Sequence, residues 1–195
     1  MDNWKKTISM SLIFVVAVAL AFSLGLQKGK SSAESDNDDI IEWENEITVA
    51  HERNGEVINK FTFENTLTDQ GKEFIRDKIS ALNASGHNVA GRPERNISFI
   101  SLGNGSTVSA GDTQLDKEIT VGGLSRSQGS TTAYGSRNFS VQNQFTATSD
   151  IGTVNTTALN WNSSGSSLVS GGAFGTEANI LDGDQITVTH NVSLS

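Results

Sequence analysis

The stretch Gln185–Ser195, QITVTHNVSLS, decides the fold. Ile186, Val188, His190, Val192 and Leu194 alternate with Thr187, Thr189, Asn191 and Ser193. Successive side chains of a strand point to opposite faces, so a period of two describes a strand with one apolar and one polar face. Such a strand belongs in an antiparallel layer whose inner face packs on a second layer. His190 sits within the apolar row, where a buried or boundary histidine fills an aromatic slot. Residues 137–148, RNFSVQNQFTAT, repeat the pattern, with Phe139, Val141, Phe145 and Ala147 on one side.

Working outwards, ISFISLG (97–103) is apolar on both faces, as a central strand is. GTVNTTALNW (152–161) and SLVSGGAF (167–174) are shorter candidates. Further upstream, ITVAHE (47–52) and EVINKFTF (56–63) flank Arg53-Asn54-Gly55, and Asn-Gly between apolar-rich runs signals a hairpin. A helix is predicted over Asp69–Leu82, capped by Thr68 or Asp69, with Phe74, Ile75, Ile79 and Leu82 on one face. Lys72, Arg76 and Asp77 take its outer surface. SGHNVAGRPE (85–94) reads as a loop. About eight short strands and one short helix make an all-β, mainly antiparallel β-sandwich over residues 47–195.

The N-terminus directs the protein out of the cytoplasm. Lys5 and Lys6 precede an uncharged run from Ile8 to Leu26, densest between Leu12 and Phe22. A basic start followed by an apolar core is what the export machinery reads, and Ser31-Ser32-Ala33 offers a small-x-small cleavage site. Residues 1–33 are therefore expected to be a signal peptide. The alternative is a retained N-terminal hydrophobic helix as membrane anchor, since the run spans roughly 28 Å and Lys28 and Lys30 can snorkel. Residues 34–46, ESDNDDIIEWENE, read as an acidic tether, because charge runs stay solvated. Ile40, Ile41 and Trp43 are out of place in a pure linker and are expected to dock.

The net charge of −8 argues against nucleic acid or an anionic membrane surface as partner. The membrane is expected to be met only through the N-terminal segment. The chain has no cysteine, which removes disulfides, zinc–thiolate sites and cysteine nucleophiles. Candidate glycosylation acceptors of the N-x-[ST] form are Asn83, Asn96, Asn104, Asn138, Asn155, Asn162 and Asn191; plain composition accounts for them equally well.

A family resemblance lies in the order of four pieces: Asp69–Leu82, with D-x-G-x-x-x-I-R; Ile97–Gly105; AGDTQLDKE at Ala110–Glu118; and Gly183–Leu194. Together they resemble a recurring domain of phage tail and fibre proteins. In that family a similar helix leads to an ISYIALGTG-like strand, an AGDTxLxxE turn and a closing GDxLTVxWxI-type strand. The resemblance covers roughly residues 56–195. His190 stands where the family often has an aromatic, and TTALNW replaces its EAGLF segment. The resemblance implies a structural or attachment domain that assembles with copies of itself, with no catalytic residues to carry over.

Reaction chemistry finds little footing. His51, His87 and His190 lie outside any H-E-x-x-H, no G-x-S-x-G is present, and no two acids stand out as a pair, so no enzyme is expected. Gly103-Asn104-Gly105 is a turn without a third glycine or Walker lysine. Asp36 to Asp39 begin like an EF-hand loop, but its sixth and twelfth positions are Ile41 and Ile47. No cofactor is expected. A weak Ca²⁺ alternative rests on Asp182-Gly183-Asp184 joined by Asp112 or Asp150, and solvated turn acids explain those residues more simply.

Two functional readings follow. In the first, the protein is an exported surface subunit, pilus-like, that forms a homo-oligomer or polymer by strand addition, with Ile40, Ile41, Trp43, Ile47 and Val49 as donor strand. In the second, it is a monomeric adhesin or carbohydrate-binding module that contacts cell-surface glycans through Trp161, flanked by Asn160 and Asn162. A tryptophan on the inner face of the sandwich is the bland reading of Trp161.

Overall fold

The computed structural model describes residues 42–80 and 96–194. Ten strands and one helix run in the order β1 (Trp43–Arg53), β2 (Glu56–Glu64), β3 (Thr66–Leu67), α1 (Asp69–Ser80), β4 (Phe99–Gly103), β5 (Ser127–Gln128), β6 (Ser130–Tyr134), β7 (Asn138–Thr146), β8 (Gly152–Asn160), β9 (Leu168–Ile180) and β10 (Gln185–Leu194). They build two five-stranded antiparallel sheets, β2-β1-β10-β7-β6 and β3-β9-β8-β4-β5. The all-β sandwich with a short helix is thus the fold observed.

The alternation in β10 sets the first sheet. Ile186, Val188, His190 and Val192 are buried, and the residues between them are half-exposed. β10 lies between β1 and β7, in a register that puts Val188 opposite Val49 and His190 opposite Ile47 and Val141. Facing this row across the sandwich stand Ile100 and Leu102 of β4, Val154 and Leu159 of β8, and Val169 and Ile180 of β9, all in one cluster. Removing such side chains from water contributes about 1.5–3 kcal/mol each, and in a chain without disulfides this core is the main source of stability. The β1–β2 hairpin closes as the Asn-Gly signal predicts. Asn54 (φ 54°) and Gly55 (φ 80°) both take the left-handed conformation of a type I′ turn.

The helix is fixed by one threonine and one glycine. Thr68 is its cap: the Thr68 hydroxyl accepts from Gly71 N–H (2.9 Å) and donates towards the Leu168 carbonyl (2.8 Å). Gly71 lets the helix press onto β9, because a Cβ there would stand 2.2 Å from the Val169 carbonyl oxygen. Phe74 then reaches the core and stacks on Trp161, with ring centroids 5.2 Å apart at 9°.

Three features depart from the expectation. β1 begins at Trp43 rather than at Ile47. Its first residues continue the alternation, with Asn45 buried and Glu44 and Glu46 exposed, so this end of the acidic run is the solvent row of a strand. β9 runs on to Ile180, beyond the apolar segment that marked it. β3, β5 and β6 were unforeseen: two are residue pairs, and the third is exposed at every position and so carries no hydrophobic period. Residues 1–41, 81–95 and 195 and, with them, Ile40, Ile41, Asn83 and the expected signal peptide or anchor lie outside the described residues.

Candidate assembly edge

β6 is the terminal strand of the first sheet. Among the described residues it pairs only with β7, from Ser130 opposite Gln142 to Tyr134 opposite Asn138. The chain reaches it from the second sheet: β5 pairs with β4, and at Gly129 the chain crosses over, its N–H donating to the Ser98 carbonyl (2.7 Å). A Cβ on Gly129 would meet the Gln142 carbonyl oxygen at 2.6 Å, so the crossing is tight. Beyond it, Ser130, Thr131, Thr132, Ala133 and Tyr134 are all exposed.

Edge strands of soluble proteins are commonly guarded by lysine, proline, bulges or inward charges. β6 has neither proline nor a charged residue, and its pairing with β7 runs without a register shift. Its neighbours on the outer face are hydroxyls and amides. Gln142 Nε2 donates to Thr189 Oγ1 (2.8 Å), and Tyr134 Oη donates to Asn191 Oδ1 (3.3 Å). The opposite edge, β2, is mixed: Glu56, Lys60 and Glu64 guard it, yet Val57 and Ile58 stand 58% and 43% exposed. The second sheet ends in the two-residue strands β3 and β5, too short to offer much ladder.

The expected donor residues are placed otherwise. Trp43, Ile47 and Val49 belong to β1, which is flanked by β2 and β10 of the same chain. Ile47 and Val49 are fully buried, and Trp43 meets Phe139 edge to face at 6.1 Å. Giving these side chains to a neighbour would empty the chain's own core, so the donor assignment of Trp43, Ile47 and Val49 is corrected to a central strand. Trp161 is corrected too. It is 5% exposed with its ring on Phe74, which leaves no face for a sugar.

Of the candidate glycosylation acceptors, Asn96 and Asn104 are exposed, whereas Asn138, Asn155, Asn162 and Asn191 are half-buried. Asn138 Oδ1 accepts from Ser193 Oγ (2.9 Å). The Ca²⁺ candidates do not converge on one point. Asp150 accepts from the Asp182 N–H (2.9 Å), while Asp112 closes a separate turn by accepting from Ser109 N–H (2.8 Å).

Asp184 turns inwards and forms a buried cluster that the sequence reading missed. Its carboxylate accepts from Arg53 Nε (2.8 Å) and Nη2 (2.7 Å), from Leu181 N–H (2.9 Å), and lies 2.9 Å from His51 Nε2. The Arg53 guanidinium, helped by Leu181 and His51, holds this carboxyl well below the usual carboxylate range against the opposing effect of burial. A second polar group lies deeper. Asn45 Nδ2 is 3.2 Å from Ser170 Oγ and 3.3 Å from His190 Nδ1, and burial pushes the His190 imidazole down to about 3. Asn45 in an otherwise alternating run was the available signal. The Asp184 cluster ties β1 to the turn between β9 and β10, and the Asn45 cluster ties β1 to Ser170 of β9 and His190 of β10.

Comparison with protein-family models, with curated proteins and with solved structures gives no match for this chain.

Proposed function

We propose that this is an exported cell-surface structural protein whose copies join by β-strand addition, with β6 as the accepting edge. The observation that carries the reading is β6 itself: five consecutive exposed, uncharged residues on a side of the sheet that no other described strand covers. An added strand gains main-chain hydrogen bonds worth about 0.5–1.5 kcal/mol each, so a five-residue ladder gives a reversible contact that repetition along a polymer reinforces. The leader in residues 1–33 supports export, and the resemblance to phage tail and fibre domains supports assembly with identical copies.

The partner strand comes from another copy. With β1 committed to its own sheet, the exposed Val57 and Ile58 make β2 the better donor among the described strands. Thr131→Pro removes an outward-facing backbone donor of β6: Thr132, opposite Ser140, bonds β7, so the N–H groups on either side of it face the open edge, and Thr131 is exposed, away from the buried core. The expected outcome is a monomeric, folded variant by sedimentation velocity and circular dichroism, alongside concentration-dependent polymers of the wild type in negative-stain images. Polymers that persist in the variant count against β6.

A further inference from the structure

We infer that the notch where β2 parts from β1 is a binding site for a neutral saccharide. The β1–β2 ladder ends at Glu46 opposite Glu64, whereas β1 continues to Trp43, opposite Leu194 on its other side. Past Glu64 the chain turns through Asn65 into β3 of the other sheet. The parting leaves a cavity of about 600 Å³, within the range of small-molecule sites. Trp43, Asn45, Phe63 and Asn65 are among its lining residues, with Glu46 and Glu64 beside them.

Three lining side chains hold buried polar atoms without a partner: Trp43 Nε1, Asn65 Nδ2 and Asn45 Oδ1. Asn45 is 4% exposed, and its Nδ2 is taken up by Ser170 and His190, so the carbonyl oxygen is what it has left to offer. Each such atom, taken out of water and left unpaired, is unfavourable. Three around one cavity describe a set of hydrogen bonds waiting for a ligand. Glu46 and Glu64 add to this: they are directly opposite like charges, an unfavourable pair, and neither has an ion-pair partner among the described residues.

The mixture selects the ligand. Two N–H donors, an amide oxygen and two carboxylates suit a molecule whose groups both donate and accept, as hydroxyls do. Trp43 and Phe63 suit its C–H faces. The carboxylates repel sialic and uronic acids. The described residues contain no group of three or more His, Cys, Asp or Glu placed to hold a metal ion. The notch lies at the end of β2, the edge that the proposed assembly pairs with β6 of the next copy, so binding is read on dilute, monomeric protein.

The test is calorimetric titration of the full-length chain with cellotetraose, mannotetraose and chitotetraose, and with sialyllactose as anionic probe. At least one neutral tetrasaccharide should bind in the sub-millimolar range, and sialyllactose should not. Trp43→Phe, which keeps the apolar wall but removes Nε1–H, and Asn65→Ala should each weaken that binding about tenfold, while Thr131→Pro leaves it unchanged. The proposal is overturned if no neutral saccharide binds, if sialyllactose binds best, or if both notch variants bind as tightly as wild type.

Discussion

Asp184 is 2% exposed between Arg53 and His51, and removing one partner of a buried charged pair leaves the other uncompensated. Asp184→Asn is expected to lower the unfolding free energy by about 3 kcal/mol, the low end of the usual range because Arg53 is a third exposed, as read by urea denaturation. His190 makes a separate prediction. Its folded-state pKa of about 3 lies below the unfolded value near 6.5, so the unfolded chain takes up the proton first. The neutral imidazole's contribution is complete above pH 6.5 and drains by about 1.4 kcal/mol per pH unit as pH falls towards 3. The His190→Phe variant should lose that share of the pH dependence between pH 6.5 and 4, which parallel urea titrations at pH 7 and 5 will show. At this scale the sequence was partly readable. His190 fell on the apolar row by its spacing alone, but nothing local marked the partner of Asp184, because its contacts come from β1, more than a hundred residues away.

Among elements, the strands with one buried face were legible and the edges were not. β7 and β10 alternate because each has a core side and a solvent side, and the Asn-Gly turn of the first hairpin names itself. β6 lacks that signal for the same physical reason that makes it a candidate contact: it buries nothing within its own chain. The first residues of β1 were hidden by Glu44 and Glu46, whose charges read as a tether but face solvent from a paired strand. The helix was found with its cap, and it carries its own test. In Gly71→Ala the new methyl has to displace the Val169 carbonyl, so the helix should shift off β9 and the domain lose about 1–3 kcal/mol, measured by thermal unfolding.

For the molecule as a whole, strand parity constrains how copies can meet. In a five-stranded, fully antiparallel sheet the two edge strands run in the same direction, so β2 and β6 point alike. Joining β6 of one copy to β6 of another about a two-fold axis gives antiparallel pairing and a closed dimer. Joining β6 to β2 by translation alone gives parallel pairing and an open polymer, the arrangement proposed here. Mass photometry should accordingly find a ladder of sizes that grows with concentration, without a plateau at two copies. The sandwich could be anticipated from alternation; the direction of its edges could not, because it depends on how many strands lie between them.

The most direct measurement is hydrogen–deuterium exchange across residues 130–134, compared between dilute monomer and concentrated assemblies of the full-length chain. Slower exchange in this segment on assembly, together with slower exchange in 56–64, is the predicted result. Unchanged exchange at 130–134 while other segments become protected would contradict the account.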